Sequence, residues 1–325
     1  MREPALLDVD DLRVEFPTPR GSVRAADGVT FSVWPGEIVG LVGESGCGKS
    51  VTTLALLRLV RPPGRIAAGR IVFKGMDLLA LPEAELRLLR GSAMAMIFQN
   101  PMTALDPVFT VGDQIAEVFR AHEGLHTGDI RTAAAAILEQ VRIPNSKSQL
   151  TAYAHQFSGG MAQRVMIGMG LAGRPSLLIA DEPTTALDVS VQAQILDLLR
   201  AIRNELHTAI ILITHDLAIT AQLCDRIVVM YAGQVVESCP TRDLFRAPRH
   251  PYAQGLLDSM PHLGHKRTRL LQIPGQPPDL GSLPVGCRFA PRCPRAEGRC
   301  RDEEPALASS SDGRAVRCHF PLEAR

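Results

Sequence analysis

Aromatic residues, long apolar runs and an excess of charge of either sign are all scarce in this sequence of 325 residues. Phenylalanine, tyrosine and tryptophan make up only 4% of the chain, so aliphatic side chains must fill any core. The 35 lysine and arginine residues nearly balance the 34 aspartate and glutamate residues, a formal net charge of +1. That balance argues against binding nucleic acid by bulk charge, although it leaves room for a local basic patch.

No apolar run approaches the roughly 18 residues that a membrane-spanning helix needs. The first residues, MREPALLDVDDLRVEF, are acidic and lack a cleavable apolar segment. We therefore expect a cytosolic protein whose role at a membrane would come through a partner.

Proline and cysteine are distributed unevenly along the chain. Twelve of the 24 prolines lie at or after Pro240, and four of the seven cysteines lie in the last 39 residues. Before Pro240, short apolar strands alternate with segments of helical length, which predicts an α/β fold with a mixed sheet. The length suggests roughly two domains. We expect a domain over residues 1–240, with a helical subdomain over about 91–170, and a mostly irregular Pro/Cys-rich C-terminal extension over 241–325.

Residues 43–50 match the pattern of a phosphate-binding loop, G-x-x-x-x-G-K-[ST]. The apolar run EIVGLVG, typical of a buried strand, precedes the loop, and VTTLALLRLV, of helical length, follows it. Glycines allow the backbone N–H groups to point inward and bind polyphosphate together with the helix N-terminus. The alternative is a glycine turn that fits the pattern by chance. The predicted ATP-binding residues here are Gly43, Glu44, Ser45, Gly46, Cys47, Gly48, Lys49, Ser50 and Val51.

Two side chains of this loop have specific expected roles. Lys49 should reach the β- and γ-phosphates, and the Ser50 hydroxyl should ligate Mg²⁺. Cys47 is expected to be a small filler, not a reactive thiol.

Asp181 and Glu182 end the apolar run LLIADE, which is typical of a buried strand. The carboxyl end of such a strand is where an α/β sheet places its ligands. Asp181 is expected to hold Mg²⁺, and Glu182 to polarise the attacking water. The alternative is a pair of solvated acids at a strand end.

The segment Phe157-Ser-Gly-Gly-Met-Ala-Gln-Arg164 begins a helical pattern. A serine followed by two glycines lets the backbone approach an anion at a helix N-terminus. Ser158 acting only as a helix cap is the alternative.

The order of these motifs resembles that of the ATP-binding cassette (ABC) ATPases: a phosphate loop, then Gln99, Ser-Gly-Gly, Asp-Glu and finally His215. The resemblance covers about residues 8–240 and implies an ABC-type P-loop ATPase core that hydrolyses ATP. One departure is visible, because Met161 stands where many cassettes have glutamine. The Ser-Gly-Gly backbone is unaffected, so little loss is expected.

The resemblance also implies roles for individual residues. Phe16 would stack on adenine, although a core strand residue is the alternative. Gln99 would sense the metal and contact the membrane partner, and His215 would hold the γ-phosphate and the attacking water. The alternative for His215 is an ordinary hydrogen-bonded histidine at a strand end. Residues implied to contact ATP bound by the opposite subunit are Ser158, Gly159, Gly160 and Asp188.

Longer stretches are similar to the ATPase subunits of oligopeptide and dipeptide importers. These stretches are QNPMTALDPVFTVGDQI, DEPTTALDVSVQAQIL, RHPYAQGLLDSMP and IPGQPPDLGSLPVGCRFAPRCPRA. The implied partners are a second ATPase subunit, two transmembrane permease subunits and an extracytoplasmic solute-binding protein. The resemblance favours a heterodimer of two different ATPase subunits over a homodimer. No nucleic acid is implied, and the location would be the cytoplasmic face of the inner membrane. Importers of nickel or sugars share much of this pattern.

Two other classes compete with the importer. A soluble cassette ATPase acting on DNA or ribosomes would usually show tandem cassettes or a long coiled coil, which this sequence lacks. A regulatory protein that binds ATP without turnover is the other, although Glu182 favours active hydrolysis.

The four late cysteines have the spacing C-x5-C-x6-C-x17-C. Four thiolates suit either a tetrahedral zinc ion or an iron–sulfur cluster. The tight pair that zinc sites usually contain is missing, and the resemblance to peptide importers also favours a [4Fe–4S] cluster; zinc or no metal are the alternatives. The charge of such a cluster would suit five nearby arginines, Arg288, Arg292, Arg295, Arg299 and Arg317. The predicted ligands are Cys287, Cys293, Cys300 and Cys318.

Overall fold

The computed structural model describes residues 4–19, 21–122, 127–260 and 272–323. The strands are β1 Leu7–Thr18, β2 Gly21–Val33, β3 Ile38–Val42, β4 Arg65–Phe73, β5 Met76–Asp77, β6 Met94–Ile97, β7 Leu177–Asp181, β8 Ala209–Thr214, β9 Arg226–Tyr231, β10 Gln234–Pro240, β11 Ala308–Ser309 and β12 Ala315–Val316. The helices are α1 Lys49–Leu56, α2 Glu83–Leu89, α3 Pro101–Ala104, α4 Val111–His122, α5 Thr127–Gln140, α6 Ser146–Gln149, α7 Gly159–Leu171, α8 Val189–Leu206, α9 Leu217–Leu223, α10 Thr241–Arg246, α11 Pro251–Asp258 and α12 Gly298–Asp302.

The chain divides into two compact units. The first contains residues 1–33, 39–79 and 214–325, and the second contains residues 34–38 and 80–213. Among the described residues, no helix combines the length and apolarity needed to cross a bilayer.

The first unit contains an antiparallel sheet with the strand order β2-β1-β4-β5. Apolar and polar residues alternate in β1 and β2, because Leu12, Val14, Val29 and Val33 are buried while their polar neighbours are not. A second group of strands in this unit is mixed: β3 runs parallel to β9, and β9 pairs antiparallel with β10. Ala232 and Gly233 form the hairpin turn between β9 and β10. Burial of every residue of β3 agrees with its apolar sequence and fixes the strand from which the phosphate loop begins.

The C-terminal region is more regular than its proline content predicted. α10, α11 and α12 lie within it, and β12 pairs with β10 through Glu237–Val316 and Ser238–Ala315. Pro251 stands at the first position of α11, where its missing N–H removes no helical hydrogen bond. The domain boundary near residue 240 stays a prediction.

The second unit contains the parallel strands β6, β7 and β8, in the order β8-β7-β6. The buried strand expected over LLIAD is confirmed, and β8 is buried in the same way, because every residue of β7 and β8 is buried. β6 was not predicted, since it lies inside a stretch that looked mostly helical. α4, α5 and α7 pack on one another. α7 approaches α5 closely at Gly168, where a Cβ would lie 2.9 Å from a methyl group of Ile137.

Candidate functional site

The phosphate loop, residues 43–50, runs from the buried end of β3 to the start of α1, as predicted. Gly43 and Gly48 adopt positive φ angles of 152° and 100°. A Cβ at Gly43 would lie 2.2 Å from the carbonyl oxygen of Met230, and one at Gly48 the same distance from that of Ala25. Only glycine fits such close backbone approaches, so the loop packs tightly against β9 and β2.

The Lys49 side chain is held over the phosphate loop. Its Nζ donates hydrogen bonds to the carbonyl oxygens of Gly43 at 2.8 Å and Glu44 at 3.0 Å. Lys49 is only 6% exposed, whereas Ser50 in the first turn of α1 is exposed. A confined ammonium beside an exposed hydroxyl is the arrangement that a phosphate and its Mg²⁺ require. Hydroxyl, carboxylate and amide oxygens are the donors that Mg²⁺ prefers, so Ser50, Asp181 and Gln99 fit the ion chemically.

The other predicted residues of this part have different surroundings. Ser45 and Gly46 are exposed, and Val51 is half-buried in the first turn of α1. Cys47 is 3% exposed, and its burial raises the pKa of the thiol. That shift agrees with a packing role, because the reactive thiolate is disfavoured.

Phe16, the predicted adenine-stacking residue, is half-buried near the end of β1. Its ring lies against Gly64, where a Cβ would approach it to 2.4 Å. The stacking role stays a prediction.

Tyr252 and Arg292 hold the phosphate loop at Glu44, and the sequence analysis predicted neither contact. The Glu44 backbone N–H donates to the hydroxyl of Tyr252 at 2.9 Å. The Glu44 carboxylate accepts two hydrogen bonds from the guanidinium of Arg292, at 2.6 and 3.0 Å. Separations of 208 and 248 residues along the chain leave no local sequence signal for either contact.

Asp181 and Glu182 follow one another at the carboxyl end of β7, in the second unit. Asp181 is buried, and Glu182 adopts a left-handed conformation with φ 47°. The Glu182 carboxylate oxygen Oε2 accepts hydrogen bonds from Gln99 Nε2 at 2.8 Å and from the Thr185 hydroxyl at 2.9 Å. The structure therefore brings together two predicted residues, Gln99 and Glu182, and fixes the orientation of the carboxylate.

Ser158, Gly159 and Gly160 form the start of α7, which we call the serine–glycine helix start. Ser158 is exposed and caps the helix, its hydroxyl accepting a hydrogen bond from the N–H of Met161 at 3.4 Å. A Cβ at Gly160 would lie 2.6 Å from a methyl group of Val191 in the first turn of α8. This close approach brings the serine–glycine helix start against the N-terminal turn of α8, where Asp188 lies.

Asp188 is the N-cap of α8. One carboxylate oxygen accepts hydrogen bonds from the Ser190 hydroxyl at 2.6 Å, the Ser190 N–H at 3.0 Å and the Val191 N–H at 2.9 Å. These bonds, that from the Ser190 hydroxyl above all, lower the pKa of Asp188. Asp188 is therefore ionised at neutral pH and sits on the protein surface.

His215 follows β8 and belongs to the first unit. It is exposed, and the next residue, Asp216, caps α9 by accepting a hydrogen bond from the N–H of Ala218 at 2.7 Å. The helix cap fixes the chain on one side of His215 and β8 fixes it on the other. Its role toward the γ-phosphate stays a prediction.

The four late cysteines line one cavity, together with His250, Phe289 and Arg295. Among residues 4–19, 21–122, 127–260 and 272–323, however, no group of three or more Cys, His, Asp or Glu side chains is arranged to hold a metal ion. Burial raises the pKa of the Cys287 and Cys293 thiols and raises that of the Cys318 thiol to about 11. The predicted metal site at Cys287, Cys293, Cys300 and Cys318, and its [4Fe–4S] cluster, are therefore not supported.

The arginines expected to offset the charge of a cluster have other partners. Arg288 pairs with Asp27 and donates to the carbonyl oxygen of Ala232 at 2.6 Å. Arg292 pairs with Glu44. Arg317 donates to the carbonyl oxygen of Val235 at 3.0 Å. These side chains attach the C-terminal region to the strands and to the phosphate loop of the first unit.

Two family models match the chain. One, described as "ABC transporter", matches residues 26–185. The other, described as "Oligopeptide/dipeptide transporter, C-terminal region", matches residues 236–300. The match at 236–300 lies in the region that carries Arg288 and Arg292.

Curated relatives are similar over almost their whole length. The dipeptide transport ATP-binding protein DppD of Escherichia coli (strain K12) is 51% identical over 98% of this chain and 98% of its own. The oligopeptide transport ATP-binding protein OppD of Salmonella typhimurium is 49% identical over 98% of this chain and 94% of its own.

Solved structures share the fold. A dimeric post-hydrolysis state of the ATP-binding cassette MJ0796, bound to ADP and Pi, has a TM-score of 0.66 at 24% identity and covers 73% of this chain and 99% of its own. CbiO1 from Clostridium perfringens, part of the ABC transporter complex cbiONQ, has a TM-score of 0.63 at 26% identity, covering 75% and 91%. These likenesses agree with the mixed α/β fold and the cassette core expected from the sequence.

Proposed function

The chain belongs to the ABC transporter family of ATPases, and on that premise we propose that it is the ATP-hydrolysing subunit of a membrane importer for di- and oligopeptides. The observation that carries this proposal is the identity of 49–51% over 98% of the chain with DppD and OppD. A match to the C-terminal region of oligopeptide and dipeptide transporters supports the same solute class.

ATP binding is assigned to the phosphate loop. Its backbone N–H groups and the N-terminus of α1 attract the phosphates, and Lys49 offsets their negative charge as it leaves its carbonyl partners Gly43 and Glu44. Mg²⁺, when bound to ATP, neutralises charge between the β- and γ-phosphates. Ser50, Asp181 and Gln99 are the residues assigned to hold that ion. Phe16 is assigned to the adenine.

Hydrolysis is assigned to Glu182, with Gln99 and His215 as supporting residues. The hydrogen bonds from Gln99 and Thr185 leave the carboxylate of Glu182 oriented and able to accept a proton from water. His215 is assigned to the γ-phosphate and the attacking water. Positioning the nucleophile and stabilising charge supply most of the catalysis in phosphoryl transfer.

A second ATPase subunit completes the proposed catalytic unit. Ser158, Gly159 and Gly160, with Asp188, are assigned to ATP bound by the opposite subunit, in a heterodimer. Exposure of Ser158 and Asp188 supports this assignment, because both side chains are available at the surface.

The remaining partners are two transmembrane permease subunits and an extracytoplasmic solute-binding protein. We place the chain at the cytoplasmic face of the inner membrane, bound to the permeases. Within the chain, residues 1–240 are assigned to nucleotide binding and residues 241–325 to an extension characteristic of peptide importers.

A [4Fe–4S] cluster at Cys287, Cys293, Cys300 and Cys318 is a separate part of the proposal and has its own test. In its favour is the single cavity that all four cysteines line; no step of hydrolysis is derived through it. Protein purified without oxygen should be brown, with absorbance near 400 nm, if the cluster forms. A colourless protein with one zinc ion per chain would refute the iron assignment.

The importer proposal is tested by peptide uptake. Deleting the gene for this chain should abolish uptake of a radiolabelled dipeptide or tripeptide, and the intact chain should restore it while the Lys49→Ala variant does not. Integral membrane proteins should copurify with the chain. Normal peptide uptake in the deletion strain, with loss of nickel uptake instead, would show that the solute is nickel and not a peptide. Copurification with ribosomes or DNA alone would show that the protein is not an importer subunit.

A further inference from the structure

Arg292 connects the C-terminal region to the phosphate loop. It ends the 3-10 turn Ala290–Arg292, next to Cys293, and its side chain is only 5% exposed. Two of its guanidinium nitrogens bind the Glu44 carboxylate, and Nε donates to the carbonyl oxygen of Pro274 at 3.0 Å. Nη1 also donates to the hydroxyl of Tyr231 at 3.3 Å. The planar guanidinium is thus fixed on every side, which makes its geometry toward Glu44 specific.

Glu44 also contacts Lys49, through its backbone carbonyl group. The carbonyl oxygen of Glu44 accepts hydrogen bonds from Lys49 Nζ at 3.0 Å and from the N–H of Cys47 at 3.3 Å. Its N–H is held by the Tyr252 hydroxyl. One residue of the phosphate loop therefore touches Arg292 with its side chain and Lys49 with its backbone.

Charge makes the contact with Arg292 important for ATP. Glu44 places a carboxylate in a loop that has to bind a polyphosphate of the same sign, and Glu44 is 27% exposed on its side chain. An unpaired carboxylate there would repel ATP, and repulsion between partly buried charges is only weakly screened by salt. Pairing with Arg292 cancels that charge, and the same guanidinium also donates to the hydroxyl of Tyr231.

Arg288 supports the same loop from its other side. It donates to the carbonyl oxygen of Ala232, and the next residue, Gly233, donates its N–H to the carbonyl oxygen of Cys47 at 2.9 Å. Arg288 and Arg292 lie within one short segment, the one bounded by Cys287 and Cys293. That segment therefore contacts the loop directly at Glu44 and, through the β9–β10 turn, at Cys47.

We infer that Arg292 is a positioning residue for ATP, which neutralises and orients Glu44 so that the C-terminal region sets the affinity of the phosphate loop. This inference rests on the proposed ATPase function. It adds to that function a residue outside the ATPase motifs and gives the C-terminal region a role at the nucleotide site.

Equilibrium binding to the intact chain tests the inference, with Mg²⁺ and an ATP analogue that carries an N-methylanthraniloyl fluorophore on its ribose. Arg292→Gln should raise the Kd about 10-fold, because truncating one member of a buried ion pair leaves the other charge uncompensated. Arg292→Lys, which keeps the charge but loses the two-pronged contact, should raise it less. Arg299→Gln is the matched control, because Arg299 pairs with Glu303 in the same region with both side chains about 60% exposed; its Kd should stay unchanged.

The decisive comparison is the double variant Arg292→Gln with Glu44→Gln. If the uncompensated carboxylate is what repels ATP, the double variant should bind within about threefold of the unmodified chain, a recovery that general loss of structure would not give. In steady-state hydrolysis by the assembled importer, Arg292→Gln should raise KM with little change in kcat, the pattern of lost ground-state binding.

Two results would overturn the inference. One is an unchanged Kd for the analogue in a folded Arg292→Gln variant, and the other is a double variant that binds the analogue as weakly as Arg292→Gln alone. Failure of the proposed function looks different. In that case the unmodified chain would not bind the analogue, or Lys49→Ala would bind it as well as the unmodified chain does.

Discussion

The phosphate loop and the serine–glycine helix start both present backbone N–H groups at a helix N-terminus, yet their surroundings differ. Lys49 is 6% exposed, and Glu44 is held by Tyr252 and Arg292. Ser158 and Asp188, by contrast, are exposed and bonded only to groups of their own helix starts in the contacts described above. Val189, which follows Asp188, is an exposed hydrophobic residue at 83%.

The difference teaches that the two regions meet different physical requirements. The phosphate loop is proposed to bind a highly charged ligand within its own unit, which favours a rigid, preorganised frame, and Arg288 and Arg292 contribute contacts to that frame. The serine–glycine helix start is proposed to act on ATP of a second subunit, which requires a surface that stays accessible until that subunit arrives. The following predictions test this contrast, beginning with Glu182, the proposed general base.

Glu182→Gln should give the largest effect. Turnover should fall about 10²-fold or more because a positioned general base is lost, whereas binding of the ATP analogue should be retained. Glutamine can still accept the hydrogen bonds from Gln99 and Thr185 through its amide oxygen, so the local structure is preserved.

The control is Glu139→Gln in the same unit, where the carboxylate accepts a hydrogen bond from Ser146 at 2.9 Å. Hydrolysis by the assembled importer, measured as phosphate release, should be normal in this control. Near-normal release in the Glu182→Gln variant would remove Glu182 as the base.

Ser158→Ala should have a smaller but selective effect. Binding of the ATP analogue to the isolated chain should be unchanged, and hydrolysis by the assembled importer should fall about 10-fold or more, because a donor to developing charge is removed. Ser158→Gly separates this role from helix capping, since glycine is tolerated at an N-cap almost as well as serine but has no side-chain donor. Normal hydrolysis in Ser158→Gly would reduce Ser158 to a cap and erase the contrast between the two regions.

Mild acid should lower the stability of the folded chain through His250, which packs beside Tyr252, and this is the smallest effect of the three predictions. His250 is 1% exposed, its Nδ1 accepts a hydrogen bond from the N–H of Tyr252 at 3.0 Å, and burial lowers its pKa to about 3. Below the unfolded-state pKa of about 6.5 the unfolded chain binds a proton that the folded chain refuses, so stability falls as pH decreases from about 6.5 toward 3.

The measurement is the midpoint of thermal unfolding between pH 7.5 and 4.5. His250→Asn keeps a capping acceptor without a titratable ring, so its midpoint should depend less on pH than that of the unmodified chain. Equal pH dependence in the two proteins would show that protonation of other groups dominates.

Much of the site was predictable because the chemistry of phosphate loops and magnesium sites is carried by short, contiguous segments. Residues 43–50 follow a buried strand and residues 181–182 lie at the end of another, and both the strand and the motif are visible in the printed order of residues. Ser158 was predicted as an anion contact, with a helix cap as the alternative; the structure shows the cap, and the anion contact stays a prediction.

Other features were not predictable because they depend on residues far apart in the chain. The C-terminal region was expected to be mostly irregular, yet Pro251 begins α11 and β12 extends the pairing of β10. Its arginines were expected near the cysteines, whereas Arg288 and Arg292 reach Asp27 and Glu44. A charge count records how many arginines a region has but not which carboxylate each one meets.

The sequence by itself determined the strand–loop–helix unit around Lys49, the carboxylates that end β7 and the family to which they point, because local backbone geometry and hydrophobic periodicity follow from neighbouring residues. Only the tertiary structure decided that Arg292 pairs with Glu44 and that Gln99 orients Glu182. Those contacts join segments separated by 248 and 83 residues, and folding alone brings such segments within hydrogen-bond distance.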